Sequence, residues 1–183
     1  MVRLGLLIAT SKPGAENKAA LELGDALFRR DPSVETWVTR FPGTVVVATG
    51  IESLDAYIIL VGTPLSTPLR LVPLLDPDKL SQVLRATPTL AGEGRVHVRC
   101  ELRGRKGECR QVEATLLREL GLTPVSRSRA PLVLHIEGVD DLWGASLLPR
   151  GCDSTETIYG EPGARRQCVS FAKKVLISLR RII

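Results

Sequence analysis

The sequence predicts an α/β protein of the mixed, α+β kind, and three observations carry that prediction. Over the first 75 residues the hydrophobic patterning orders as strand, helix, strand, strand, helix, strand. That is the split βαβ order of ferredoxin-like domains. A second α/β unit follows, opening on the strict two-residue alternation Val96-His97-Val98-Arg99-Cys100-Glu101-Leu102-Arg103 and passing through a cationic turn into an amphipathic helix. An apolar fraction of 44% in 183 residues supplies real cores, in one generous domain or two small ones.

Each element has a local reason. Residues 4–9 are a short continuous apolar run, as in a buried strand. The loop Ser11-Lys12-Pro13-Gly14 then ends the strand and caps a helix over about 15–30, which carries Ala19, Leu23, Ala26 and Leu27 on one face and stops at Asp31-Pro32. Strands over 36–41 and 44–49 are joined by a Pro42-Gly43 turn. A second helix covers about 53–60, and a fourth strand covers 69–74. Residues 76–86 read as a connecting helix with Leu80, Val83 and Leu84 inward, and 87–94 as a turn or linker.

In the second unit the helix over 109–120 carries Val112, Leu116, Leu117 and Leu120, with Gly121 as its C-terminal cap. Residues 131–138 and 142–148 form a hairpin turned by Asp140-Asp141. Residues 151–163 read as loop. A last helix over 164–181 has Cys168, Phe171, Val175 and Leu179 inward and Arg165, Arg166, Lys173, Lys174 and Arg181 outward. The domain reading is 1–75, 76–150, and a C-terminal loop and helix over 151–183.

Charge is distributed unevenly. Residues 1–94 carry 9 basic and 10 acidic side chains, whereas residues 95–183 carry 16 and 10. The excess positive charge therefore lies in the C-terminal half, which points to an anionic partner for that half. Aromatic residues are only 4%, so platforms for stacking bases are scarce. Arg outnumbers Lys and there is one Met, which fits a thermophilic source. No signal peptide or transmembrane run is visible, and the expected compartment is the cytoplasm.

Other chemistries find little support. The four cysteines, Cys100, Cys109, Cys152 and Cys168, form no C-x-x-C pair, so no metal site is expected. Cys100 reads as a buried thiol within its strand, and the Cys152 and Cys168 spacing leaves a disulfide open. The two histidines, His97 and His135, fall on the polar phase of strands and read as surface or sheet-face residues. No G-x-S-x-G elbow, Walker loop or G-x-G-x-x-G is present, so no catalytic residue or cofactor is expected. Asp140-Asp141, with Asp153 and Glu156, is explained by turn chemistry.

The basic cluster is the candidate site. Between Arg95 and Arg129 stand nine basic and four acidic residues. Arg99 and Arg103 share a strand face with His97; Arg105, Lys106 and Arg110 surround a helix start; Arg127 and Arg129 follow that helix. Arginine forks two donors onto a phosphate, and the helix N-terminus adds a favourable dipole. These seven residues are expected to contact the backbone of a nucleic acid, reading shape more than bases. The competing reading is a strand and helix laced by Arg–Glu pairs through Glu101, Glu108, Glu113 and Glu119.

The alternating strand at Val96–Arg105, the helix ending in Leu120-Gly121, and the pair Pro131-Leu-Val-Leu-His-Ile-Glu137 with Leu142-Trp-Gly-Ala-Ser-Leu147 together resemble the THUMP domain. Leu69-Arg-Leu-Val-Pro-Leu74 resembles the strand that joins the N-terminal ferredoxin-like domain to THUMP, and 6–14 with its helix resembles the start of stand-alone THUMP proteins of archaea and eukaryotes. Ser126-Arg-Ser-Arg-Ala-Pro131 departs from the family pattern before the penultimate strand. The resemblance implies a THUMP α/β domain that binds tRNA at its acceptor stem and 3′ CCA end. It also implies a noncatalytic adaptor for a tRNA acetyltransferase or another tRNA-modifying enzyme, with no DNA and no membrane as partner. The alternatives are a small enzyme with Ser11, Lys12 and His97 in an interdomain cleft, or a protein-only scaffold.

Overall fold

The computed structural model describes residues 5–182. Leu4, at the start of the first expected strand, lies outside them. The first unit has the predicted order: β1 (Gly5–Thr10), α1 (Glu16–Phe28), β2 (Glu35–Val38), β3 (Thr44–Thr49), α2 (Ser53–Gly62) and β4 (Arg70–Leu74). Its strands lie side by side as β2-β3-β1-β4, all antiparallel. This is the ferredoxin-like arrangement, in which each βαβ crossover leaves a gap that another strand fills. Leu7, Ala9, Val45, Val47 and Leu71 face α1 and α2 across an apolar core. Ile8, Val46, Val72 and Leu74 lie on the opposite face with Trp37 and Phe41. No side chain of the 11–14 loop caps α1, contrary to expectation. Glu16 instead reaches across to accept the Gly43 N–H at 2.6 Å, tying the helix start to the β2–β3 turn.

The second unit begins with α3 (Pro77–Ala86), where Asp76 accepts the Asp78 N–H at 2.8 Å as a cap. It continues through β5 (Arg95–Arg103), α4 (Cys109–Leu120), the two-residue β6 (Thr123–Pro124), β7 (Leu132–Val139) and β8 (Leu142–Pro149). The strand order is β6-β5-β7-β8, with β5 parallel to both neighbours and β7 antiparallel to β8. Gly121 closes α4 in the left-handed region at φ 64°. Asp140 makes the hairpin turn at φ 52°, a conformation aspartate tolerates.

Residues 151–163 are not all loop. Ser154 accepts the Thr157 N–H and starts the short helix α5 (Thr155–Gly160), whose Ile158 is buried. Polar residues obscured this turn of helix because only one of its side chains is a strong apolar anchor. The last helix, α6 (Ala164–Arg180), buries Cys168, Val175 and Leu179 as expected, and packs against α2, α3 and β8.

Both cysteine pairs are bonded. Cys152–Cys168 ties the end of β8 to α6. Cys100 is not a thiol, contrary to expectation: it is bonded to Cys109. The strand alternation places Cys100 on the apolar face that α4 covers, and the turn between them brings Cys109 over it.

The sheets meet along the outer edge of β4. Leu75 and Ala145 exchange two backbone hydrogen bonds of 3.0 and 2.9 Å, and further along the Leu71 N–H donates to Asp153 O at 2.8 Å. Gly144 makes the close approach feasible, since a Cβ there would stand 2.7 Å from the Leu75 carbonyl oxygen. We expect Gly144→Ala to lower stability by about 1–3 kcal/mol, read as a shift in the urea midpoint. An unchanged midpoint would show that the joint has slack.

Candidate nucleic-acid interface

Strand alternation sends His97, Arg99, Glu101 and Arg103 to one face of β5 and Val96, Val98, Cys100 and Leu102 to the other. The parallel register sets Arg99 beside His135 and Glu101 beside Glu137 on β7. Alternation alone leaves this face in solvent. The structure covers much of it.

Arg70 reaches in from β4 of the first sheet. Its Nε donates to Asp153 Oδ2 at 2.8 Å, its Nη2 to Glu137 Oε1 at 2.8 Å, and its Nη1 to Glu101 Oε1 at 3.3 Å. Arg103 Nη1 donates to Glu137 Oε2 at 3.0 Å, and its Nη2 pairs closely with Glu101 Oε2. Arg99 Nε donates to the other Glu101 oxygen at 2.7 Å. Three guanidinium groups thus face three carboxylates, and the Glu137 side chain is 0% exposed. Burial opposes ionisation of Glu101, but the Arg99 hydrogen bond and the Arg70 and Arg103 charges hold its carboxyl below the usual range. Arg99 and Arg103 are therefore held in a fold-building ion network, with Arg99 at its rim.

His135 sits beside this network and is buried, not on the surface as its strand phase suggested. Every residue of β7 is buried, because the first sheet and the chain around Asp153 cover the face that alternation left polar. Burial, reinforced by the Arg70 and Arg99 charges, lowers the imidazole pKa from 6.5 to about 4, although Asp153 and Glu101 oppose this. Neither ring nitrogen, nor the buried Oγ of its cross-strand neighbour Ser146, has a hydrogen-bond partner among the described residues. Ser11, one of the residues of the enzyme alternative, is buried and donates to the Lys12 carbonyl oxygen at 3.1 Å.

The remaining cations separate to the two ends of the sheet. β5 is nine residues long, so its ends stand about 25 Å apart. At its C-terminal end, Arg105 pairs with Glu108 and lies over the Trp143 ring at 5.5 Å. The adjoining cavity of about 510 Å³ is lined by Asp76, Asp78, Glu108 and Glu119 as well as Arg105, a setting unfavourable to phosphate. Lys106 and Arg110 are exposed nearby.

At the other end a 3₁₀ turn (Arg127–Arg129) holds Arg127 and Arg129 outward. Arg150, which follows β8, joins them, donating from Nη1 to the Arg127 and Ser128 carbonyls at 3.3 Å each. None of these three arginines forms an ion pair with a described residue. Arg127, Arg150, Thr157 and Gln167 line an open groove of about 550 Å³, with Glu161 as its single acidic group among the described residues. Glu161 also borders the neighbouring cavity, where Arg165 stands at the start of α6.

Sequence reasoning missed Arg70 and Arg150. Arg70 interrupts an apolar strand, a local anomaly that signals a buried partner. Arg150 carries no local signal, since only the β7–β8 hairpin brings it beside Arg127.

No family model matches this chain, and no curated protein matches it. Among solved structures, TrmN from Thermus thermophilus aligns at a TM-score of 0.51 and 23% identity, over 78% of this chain and 45% of TrmN. A 4-thiouridine synthetase, crystallised with RNA and bound ATP, aligns at a TM-score of 0.45 and 14% identity, over 80% of this chain and 42% of that one. The first likeness is one of fold; the second is too slight to add to it. The chain spans less than half the length of either protein.

Two outcomes follow from the network. Arg70→Met leaves Glu137 short of a counter-charge and is expected to cost about 3–5 kcal/mol in denaturant unfolding; a cost under about 1 kcal/mol would contradict the network's role. His135 takes up its proton at lower pH in the folded chain than in the unfolded one. Its contribution is therefore complete above pH 6.5 and is lost as pH falls toward about 4. Between pH 6.5 and 4.5 that loss amounts to roughly 2–3 kcal/mol. His135→Asn should flatten this part of the stability–pH curve, and parallel curves for the two proteins would refute the assignment.

Proposed function

We propose that this chain is a THUMP-type RNA-binding protein that takes tRNA at its acceptor stem and 3′ CCA end. In this reading it performs no chemistry itself and presents the tRNA to a modifying enzyme, first of all a cytidine acetyltransferase. The observation that carries the reading is the convergence of Arg127, Arg129 and Arg150 at one end of the second sheet, without carboxylate partners among the described residues. Guanidinium groups so placed are available to fork onto phosphates. The strand, helix and hairpin pattern that resembles THUMP, and the fold likeness to TrmN, support the same reading.

The seven arginines and lysines then divide by role. Arg127 and Arg129 contact phosphate together with Arg150. Lys106 and Arg110 form a second, weaker cationic end. Arg99, Arg103 and Arg105 serve the fold first, through Glu101, Glu137 and Glu108.

The test is binding of the purified chain to full-length tRNA, and to the same tRNA lacking its 3′ CCA end, across a salt series. Tight, salt-sensitive binding that weakens without the CCA end is expected. Arg127→Ala/Arg150→Ala should make the salt slope shallower by about 2 and weaken binding to both RNAs. Lys106→Ala/Arg110→Ala should change it less. No binding to either RNA at low salt overturns the reading.

A further inference from the structure

The Cys100–Cys109 bond is half-buried and has a carboxylate beside it. Glu113 lies one helical turn after Cys109 on the same side of α4. Its carboxylate oxygen and the two sulfurs all lie within 4.8 Å of one another, the one such group of three potential metal ligands among the described residues. Glu113 forms no ion pair with a described residue. Cys109 is the first residue of α4, where the helix dipole favours a thiolate. The other pair, Cys152 and Cys168, is buried at 2% and 0% exposure and belongs to no such group.

We propose that Cys100, Cys109 and Glu113 form a redox-gated site for a thiophilic divalent cation of the Zn²⁺ class. A dithiol reductant delivers two electrons and two protons to the Cys100–Cys109 bond and is itself oxidised to a disulfide. The metal then displaces the two thiol protons and binds two thiolates and the Glu113 carboxylate, with water in the fourth position. Sulfurs on a tetrahedral zinc stand about 3.8 Å apart, given bonds of about 2.3 Å. The Cα–Cα separation of 5.8 Å allows that opening with side-chain rotation and little backbone movement. Thiolate donors select zinc over magnesium or calcium. The site was not legible from spacing, because the cysteines stand nine positions apart and the carboxylate comes from a helix turn.

Disulfide and metal would each fasten the end of β5 to the start of α4, closing the turn that carries Arg105 and Lys106. The reduced, metal-free chain lacks that clasp. The proposal is independent of the RNA reading.

The test uses the full chain, reduced with a phosphine and freed of excess reagent, then titrated with Co²⁺ and with Zn²⁺ in competition. One equivalent is expected to bind, with a thiolate-to-cobalt charge-transfer band that Zn²⁺ abolishes. The oxidised protein should bind none. Glu113→Gln, which keeps both thiols, should weaken binding by about tenfold or more, and Cys100→Ala/Cys109→Ala should abolish it. Reduced protein that takes up no metal overturns the site, as does uptake unchanged in the double variant. Unchanged affinity in Glu113→Gln overturns the three-ligand set. Circular dichroism of each variant keeps loss of binding distinct from loss of fold.

Discussion

Arg70 sets the constraint on which the rest of the molecule depends. It stands on β4 of the first sheet, yet its charge is matched by Glu101 and Glu137 from the second sheet and by Asp153 from the segment after β8. A fully buried carboxylate such as Glu137 is costly unless its charge is paired and its oxygens accept hydrogen bonds. Arg70 and Arg103 meet that demand only when the two sheets are docked. The polar face of β5 and β7 can therefore be closed off from water only in the assembled chain. The backbone bonds between Leu75 and Ala145, and α6 laid against α2 and α3, act on the same joint.

This constraint sorts the positive charge of the C-terminal half. A row of arginines on an alternating strand looks like a ready phosphate surface. Here the inner members of that row neutralise buried carboxylates, and Arg105 is shared between Glu108 and the Trp143 ring. Apart from the exposed cations of α6, what remains outward lies at the two ends of β5. One end adjoins an acid-lined cavity, whereas the other sets Arg127 and Arg150, with Arg129 close by in the same turn as Arg127, at a groove whose described lining has a single acidic residue. Electrostatic recognition depends on which charges remain uncompensated, and net charge by itself does not reveal that.

The cysteines and histidines teach the same lesson at smaller scale. Periodicity assigned Cys100 to the apolar face correctly, but its partner depended on where the following turn delivered α4. Periodicity also assigned His135 to the polar face correctly, but that face is interior. In both cases the local geometry was legible and the neighbour across space was not.

By itself the sequence determined the element order of the first unit and, apart from the two-residue β6, of the second, together with the α4 boundaries, the Gly121 cap and the Asp140-Asp141 hairpin. Each depends on interactions within a few residues, such as apolar period, turn chemistry and helix punctuation. Only the tertiary structure decided that Arg103 turns inward to Glu101 and Glu137, with Arg99 at the rim of the same network. It alone placed Arg150 beside Arg127 and set the Cys100–Cys109 disulfide beside Glu113. Those outcomes depend on docking of distant strands, where the cost of burying charge selects partners that no local pattern encodes.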